Sequence, residues 1–150
     1  FRSTVSGSKD SFVYLMNQKA SQLGMKNTVY SNTTGLGNNN RTTAEDAYVL
    51  LEYALQNKIF CQIFGRRSYK IVNATGERLI TTTNQLIREN SDYNVPECLG
   101  SKYGACGSLG NIVAVTQKND DLYVGIFLGI KGSDKYIDAK NLLRSVLNLE

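Results

Sequence analysis

Residues 100–113 read Gly100-Ser-Lys-Tyr-Gly-Ala-Cys-Gly-Ser-Leu-Gly-Asn-Ile-Val113, with one lysine among small residues just before an apolar strand. Glycine leaves the backbone bare, so a ligand can approach the main chain closely beside Lys102. The ammonium group would hold a fixed positive charge over such a cleft. A lysine between glycines is also typical of a solvated side chain beside a turn, and the pattern alone does not separate the two interpretations.

The composition is typical of one folded domain. The 150 residues are 41% hydrophobic, which is enough for a core. No apolar stretch approaches the ~20 residues that cross a bilayer. The net charge of +4 is scattered along the chain, so we expect no nucleic-acid partner.

The absence of histidine excludes several kinds of catalytic site. A Ser-His-Asp triad, a Cys-His dyad and the usual histidine-bearing zinc sites cannot be built from this chain. A nucleophile would have to be activated by a lysine or a carboxylate, as in serine–lysine chemistry. We therefore expect no metal and no other cofactor.

The three cysteines, Cys61, Cys98 and Cys106, leave three interpretations open. A disulfide between Cys98 and Cys106 would close a short loop and would need an oxidising compartment. Three reduced and partly buried thiols are the favoured alternative. A three-cysteine metal site is the least favoured, since no Cys-x-x-Cys pair is present.

Helical periodicity marks both ends of the chain. Residues 10–23 form an amphipathic pattern, with Asp10 as a possible cap and Gly24 in place for the left-handed residue after the end. Residues 43–46 open a second helix with capping-box character, and Asn57 is expected to end it. Residues 59–64 are either a helical turn or a buried connector. A closing helix is predicted from Ser133 to Leu149, with one apolar face made by Tyr136, Ala139, Leu143, Val146 and Leu147.

Strand patterns fill the middle of the chain. Residues 69–72 and 79–82 are rich in β-branched side chains and surround a turn at 74–77. Residues 112–116 and 122–128 are the strongest strands, and the polar residues 119–121 between them predict an antiparallel hairpin. This order of elements predicts an α+β fold with an antiparallel sheet.

The signal around Lys102 becomes specific only together with a second block. That block reads Phe12-Val-Tyr-Leu-Met-Asn-Gln-Lys-Ala-Ser-Gln-Leu-Gly-Met-Lys-Asn-Thr28. The two blocks together resemble the D-alanyl-D-alanine carboxypeptidases, low-molecular-weight penicillin-binding proteins of peptidase family S11. The lysine strand is similar to the Lys-Thr-Gly strand of that family, with Tyr103 at the threonine position. Further matches occur in order at Gly7-Ser8, Asn27-Thr28, Asn32, Gly35-Leu36, 42–46, 83–86, Leu128-Gly129 and 138–143. The resemblance thus runs from about Gly7 to Leu147.

The resemblance assigns roles to five residues. Lys102 would be the catalytic cation, which stabilises charge in the active site and helps to hold the substrate carboxylate. Tyr103, Gly104 and Ala105 would bind substrate, with the Ala105 N–H as one oxyanion-hole donor. Tyr103 carries its hydroxyl further out on a rigid ring than threonine would, so we expect it to narrow the site for the terminal carboxylate. The carboxylate-binding arginine of many members would fall near Lys135.

The family's nucleophile would lie outside this sequence. A serine and its lysine base form a Ser-x-x-Lys element, a Ser-x-Asn loop assists proton transfer, and family spacing places both before Phe1. The resemblance implies that residues 1–150 are a single partial domain, the C-terminal half of a DD-peptidase catalytic domain with a penicillin-binding or β-lactamase-like fold. The N-terminal half, on the same chain or as a companion chain, would be its partner, since this half alone would leave an unpaired sheet edge and an uncovered core face.

The expected function is part of a serine-type carboxypeptidase that trims terminal D-alanine from peptidoglycan stem peptides through an acyl-enzyme and reacts with β-lactams. Its location would be secreted, periplasmic or otherwise extracytoplasmic, with any membrane anchor on a missing segment. An inactive relative that serves as a scaffold or assembly subunit is the alternative. A β-lactamase-like hydrolase acting on a soluble ester or amide is a third, weaker possibility.

Overall fold

The described residues, 7–37, 39–132 and 134–148 of a computed structural model, hold both helices and antiparallel strands. In chain order these are α1 (Lys9–Gln22), α2 (Ala44–Leu55), α3 (Lys58–Phe64), β1 (Ser68–Asn73), β2 (Gly76–Thr81), β3 (Cys98–Cys106), β4 (Leu109–Lys118), β5 (Asp121–Lys131) and α4 (Asp134–Val146). The chain divides into two compact units, residues 1–56 and residues 57–150. The predicted α+β class with antiparallel sheets is confirmed.

Helix α1 begins one residue earlier than predicted, because its cap is Ser8 and not Asp10. The Ser8 side chain accepts a hydrogen bond from the Ser11 N–H at 3.1 Å. Asp10 lies in the first turn, where a negative charge interacts favourably with the positive end of the helix dipole. The predicted left-handed residue after the helix is confirmed, since Gly24 has φ +78°.

The start of α2 is capped as predicted, but its carboxylate has a different role from that in a capping box. The Thr43 side chain accepts from the Asp46 N–H at 3.2 Å. The Asp46 carboxylate is buried and accepts from the Asn27 N–H at 2.8 Å and from the Thr28 hydroxyl at 2.7 Å. Asp46 therefore ties the loop after α1 to the first turn of α2.

Asparagines hold the rest of that loop. The Asn17 amide in α1 donates to the Tyr30 carbonyl at 2.7 Å and accepts from the Tyr30 N–H at 2.8 Å. Asn32 accepts from the Gly35 N–H at 2.8 Å and donates to the Leu36 carbonyl at 2.7 Å. The polar matches to the family in this first unit are thus clamps on an irregular backbone.

The boundary between α2 and α3 differs from the prediction. Helix α2 ends at Leu55 with Gln56 as its cap, whereas Asn57 caps α3 by accepting from the N–H groups of Ile59 and Phe60. Of the two interpretations left open for residues 59–64, the structure supports the helical one.

In the second unit, β1 and β2 form a two-stranded sheet, and the larger sheet has the order β3-β4-β5. The predicted β4–β5 hairpin is confirmed, with Asn119 at φ 55° in its two-residue turn. One face of this sheet packs against α4 and the segment before β3. The resulting core consists of Leu86, Ile87, Val95, Cys98, Ile112, Ala114, Phe127, Tyr136, Ala139 and Leu143.

Helix α4 confirms the predicted closing helix in position but not at every apolar residue. Ser133 and Leu149, the predicted end residues, lie outside the described residues. Tyr136, Ala139, Leu143 and Leu147 are buried as expected, but Val146 is 42% exposed. None of the helices in the described ranges combines the length and hydrophobicity needed to span a membrane.

Of the three interpretations of the cysteines, the disulfide between Cys98 and Cys106 is excluded, because these residues lie at opposite ends of β3. Eight steps along a strand separate their Cα atoms by about 26 Å, far beyond the reach of a disulfide. Within the described residues, no group of three or more Cys, Asp or Glu side chains is arranged to hold a metal ion. Cys98 is buried, and burial raises the pKa of its thiol to about 11, whereas Cys106 is exposed.

We expect iodoacetamide at about pH 8 to modify Cys106 readily and Cys98 at least about 100-fold more slowly, because only the thiolate reacts and a raised pKa depletes it. Timed alkylation of the intact native protein, followed by mass spectrometry of its peptides, measures both rates. The rates should converge in urea. Equal rates in the folded protein would show that Cys98 is not buried.

Replacing Asp46 with alanine should lower the free energy of unfolding by about 2–3 kcal/mol, because the Asn27 N–H and the buried Thr28 hydroxyl lose a charged acceptor. Urea unfolding of the intact native protein measures this change. Glu45→Ala is the matched control, since Glu45 is exposed in the same turn of α2. If both variants fall within about 0.5 kcal/mol of the native protein, the clamp contributes nothing to stability.

Candidate functional site

Lys102 lies on β3, which forms one edge of the sheet among the described strands. Its side chain is exposed. The ammonium donates to the Tyr103 carbonyl and lies 5.3 Å from the centroid of the Tyr103 ring. The predicted catalytic cation is therefore accessible and held at the sheet edge.

Tyr103 points to the opposite face of β3 from Lys102. It pairs with the fully buried Ile112, and its half-buried ring packs against the core of the second unit. The ring meets the Tyr136 ring edge-on, with centroids 6.1 Å apart. The Tyr103 and Thr83 hydroxyl oxygens lie 3.2 Å apart in a hydrogen bond.

Tyr136 connects this site to the core. It is buried and stacks on Tyr93, with ring centroids 5.7 Å apart. Burial raises the pKa of Tyr136, the nearby Tyr103 phenol raises it further, and a backbone hydrogen bond from Gln85 lowers it. Tyr136 therefore stays protonated at neutral pH.

Gly104 and Ala105 are exposed on β3 after Tyr103. A Cβ on Gly104 would meet no atom within 4 Å, whereas a Cβ on Gly100 would lie 2.2 Å from the Phe64 ring of α3. Packing therefore requires a glycine at position 100 but not at position 104. The open space beside Gly104 suits the approach of a ligand.

Lys135 at the start of α4 reaches the same region. Its ammonium donates to the Gly132 carbonyl at 2.9 Å and lies 5.0 Å from the centroid of the Tyr136 ring. Its stem crosses β4 at Gly110, which pairs with Ala105. The fold thus brings the Lys135 stem over β4, the strand that pairs with the one carrying the other four predicted site residues.

The sequence analysis did not single out Thr83 as a site residue, although Thr83 stands in one of the matched segments. Its neighbour Asn84 and the β3 residue Ser101 are both buried. The Asn84 side-chain nitrogen and the Ser101 hydroxyl have no hydrogen-bond partner among the described residues. Buried polar groups without a partner are costly and uncommon in native cores. Their presence here indicates that this region has a role other than packing.

One tetrapeptide in the sequence, Ser6-Gly-Ser-Lys9, has the Ser-x-x-Lys pattern, and no Ser-x-Asn occurs. Ser6 lies outside the described residues, and Lys9 is exposed in the first turn of α1. The tetrapeptide overlaps the Gly-Ser lead that precedes the Met-Asn helix in the family. This position lies after both family motifs, so Ser6 does not match the nucleophile.

Comparison with known proteins identifies the family and the fold. The family model described as D-alanyl-D-alanine carboxypeptidase, peptidase S11, matches residues 2–129. The D-alanyl-D-alanine carboxypeptidase DacB2 of Mycobacterium tuberculosis is 32% identical over 101 residues, which are 65% of this chain and 33% of that protein.

Two solved structures show the same fold. The D-alanyl-D-alanine carboxypeptidase from Mycobacterium tuberculosis H37Rv superposes with a TM-score of 0.77 at 24% identity, over 99% of this chain and 57% of that one. Penicillin-binding protein D2 from Listeria monocytogenes, in its ampicillin-bound form, gives 0.77 at 17% identity, over 98% of this chain and 59% of that one. The chain therefore has a penicillin-binding fold and spans a third of the curated relative and somewhat over half of each solved chain. Because the family model matches residues 2–129, the chain belongs to the peptidase S11 family of D-alanyl-D-alanine carboxypeptidases.

Proposed function

We propose that this chain supplies the lysine strand of a serine-type D-alanyl-D-alanine carboxypeptidase that cleaves peptidoglycan stem peptides through an acyl-enzyme. The observation that carries the proposal is the exposed Lys102 on an edge strand, two residues before the open space at Gly104. A fixed cation beside a bare backbone can stabilise a developing negative charge without proton transfer.

The backbone of β3 supports the same assignment. The Tyr103 carbonyl accepts from the Lys102 ammonium, so it lies on the side of the strand that this cation occupies. Alternate residues of a strand direct their N–H and C=O groups to the same edge. The Ala105 N–H then shares that edge and would donate to the oxyanion that forms when the substrate carbonyl is attacked.

The nucleophilic serine and its lysine base would come from the N-terminal half of the catalytic domain, on the same chain or as a companion. The exposed apolar surface of β5 supports such a partner. Leu122 and Leu128 are 56% and 38% exposed, and β5 is the other edge of the sheet among the described strands. The second half would cover both the edge and this surface.

The proposed substrate sets the location and the inhibitor class. Stem peptides lie in the cell wall, so the protein would work outside the cytoplasm. β-Lactams would acylate the same serine, by analogy with the ampicillin-bound Listeria protein of the same fold.

An inactive scaffold is the second candidate function. One observation favours it, namely Tyr103 in place of the family's threonine. Fluorescent penicillin separates the two functions. Label on a serine of the intact native protein supports the enzyme, and no label on any serine supports the scaffold.

Replacing Lys102 with methionine should slow penicillin acylation of the intact native protein by about 100-fold to 1000-fold, because the site loses a preorganised charge. The second-order rate constant of labelling measures the effect. Lys131→Met is the matched control, since Lys131 is an exposed lysine at the end of β5. The assignment of Lys102 is wrong if both variants acylate at the native rate.

Gly104→Ala should leave the free energy of unfolding within about 1 kcal/mol of the native value, because its methyl group meets open space. The same methyl group lies on the Lys102 face of β3 and should slow acylation by about ten-fold or more by blocking substrate. Gly100→Ala is the contrasting variant, since its clash with Phe64 should cost about 1–3 kcal/mol of stability. Native acylation by Gly104→Ala would show that no substrate packs there.

A further inference from the structure

The hydroxyls of Thr83 and Tyr103 form an exposed hydrogen-bonded pair beside the lysine strand, with their oxygens 3.2 Å apart. Each hydroxyl has one proton and two lone pairs. Their mutual bond uses one proton, so the other proton remains available to a third group. The pair can therefore donate to an acceptor that approaches from solvent.

One positive charge lies beside Tyr103 of this pair, and a second lies beside the adjoining Tyr136 ring. The Lys102 ammonium lies 5.3 Å from the centroid of the Tyr103 ring, and the Lys135 ammonium lies 5.0 Å from that of the adjoining Tyr136 ring. Among the described side chains, neither lysine pairs with a carboxylate; the ion pair found there joins Lys70 and Glu77 on the β1–β2 hairpin. The local field therefore favours an anion.

Thr83 is held in place from both sides. The Thr82 N–H donates to the Arg67 carbonyl at 2.8 Å, and the Thr82 hydroxyl accepts from the Asn84 N–H at 3.2 Å. Asn84 in turn accepts from the N–H of the buried Leu86 at 3.1 Å. A hydroxyl on so fixed a backbone loses little entropy when it binds a ligand.

We propose that the Thr83 and Tyr103 hydroxyls together bind the terminal carboxylate of the substrate, with Lys102 supplying the neighbouring charge. The inference rests on the proposed carboxypeptidase function. The pair takes over the role of the hydroxyl that the family's Lys-Thr-Gly threonine would provide. Tyr103 is then a donor and not the obstruction that the sequence led us to expect.

The test compares benzylpenicillin, which carries a carboxylate, with its methyl ester, which does not. Second-order acylation rate constants are measured for the intact native protein and for Thr83→Val, Tyr103→Phe and the double variant. Each single substitution should lower the preference for the carboxylate over the ester by about ten-fold, because a hydrogen bond to a charged group is lost. The rate with the ester should change by less than about two-fold.

Tyr136→Phe is the matched control. It removes the neighbouring phenol hydroxyl, which bonds to the backbone of Gln85, and keeps the aromatic ring. Its preference for the carboxylate should equal that of the native protein. A loss of preference equal to that of Tyr103→Phe would show that the aromatic cluster of Tyr93, Tyr103 and Tyr136 acts through its packing, which overturns the proposal.

The remaining outcomes separate this inference from the proposed function. If the native protein is acylated but Thr83→Val and Tyr103→Phe keep its full carboxylate preference, the hydroxyl pair is structural and the carboxypeptidase function stands. If the native protein is not acylated, that function fails, and NMR titration with an N-acyl-D-Ala-D-Ala peptide and its C-terminal amide tests the pair directly. Binding of the acid alone, weakened in Thr83→Val, supports the pair, whereas equal binding of acid and amide, or no binding, overturns it.

Discussion

The alternation of side chains along β3 is the constraint on which the candidate site depends. Register with β4 pairs Tyr103 with the fully buried Ile112 and pairs Lys102 with Val113 on the other face. A slip of one residue would exchange the two faces, burying the lysine and exposing the tyrosine. Burial of an unpaired ammonium is costly. The register that buries the Tyr103 side of β3 is therefore also the one that keeps the Lys102 ammonium accessible.

The aromatic cluster makes the site part of the core. Tyr103 contacts Tyr136, Tyr136 stacks on Tyr93, and the core residues of α4 continue from there. Such contacts fix ring positions more firmly than a surface loop could. The Thr83–Tyr103 pair is consequently placed by packed aromatic rings on one side and a hydrogen-bonded turn on the other.

In the first unit, the motifs that identify the family have a structural role. Asn17, Asn32 and Asp46 lie in matched segments, and each satisfies backbone N–H or carbonyl groups of the irregular stretch after α1. An irregular backbone must find hydrogen bonds outside regular ladders, and short polar side chains provide them. These residues would thus be required by the fold, whether or not the protein is catalytically active.

Local patterns in the sequence determined the class of most elements, the glycine after α1, the cap of α2 and the β4–β5 turn, because all of these depend on neighbours within a few residues. They left α3 open between a helical turn and a buried connector. The ordered motifs also identified the family. The contact between Thr83 and Tyr103 and the approach of the Lys135 stem to Gly110 of β4 came only from the tertiary structure. Such distances are set by strand register and by the packing of α4 on the sheet, which join residues far apart in the chain and leave no local periodicity to detect.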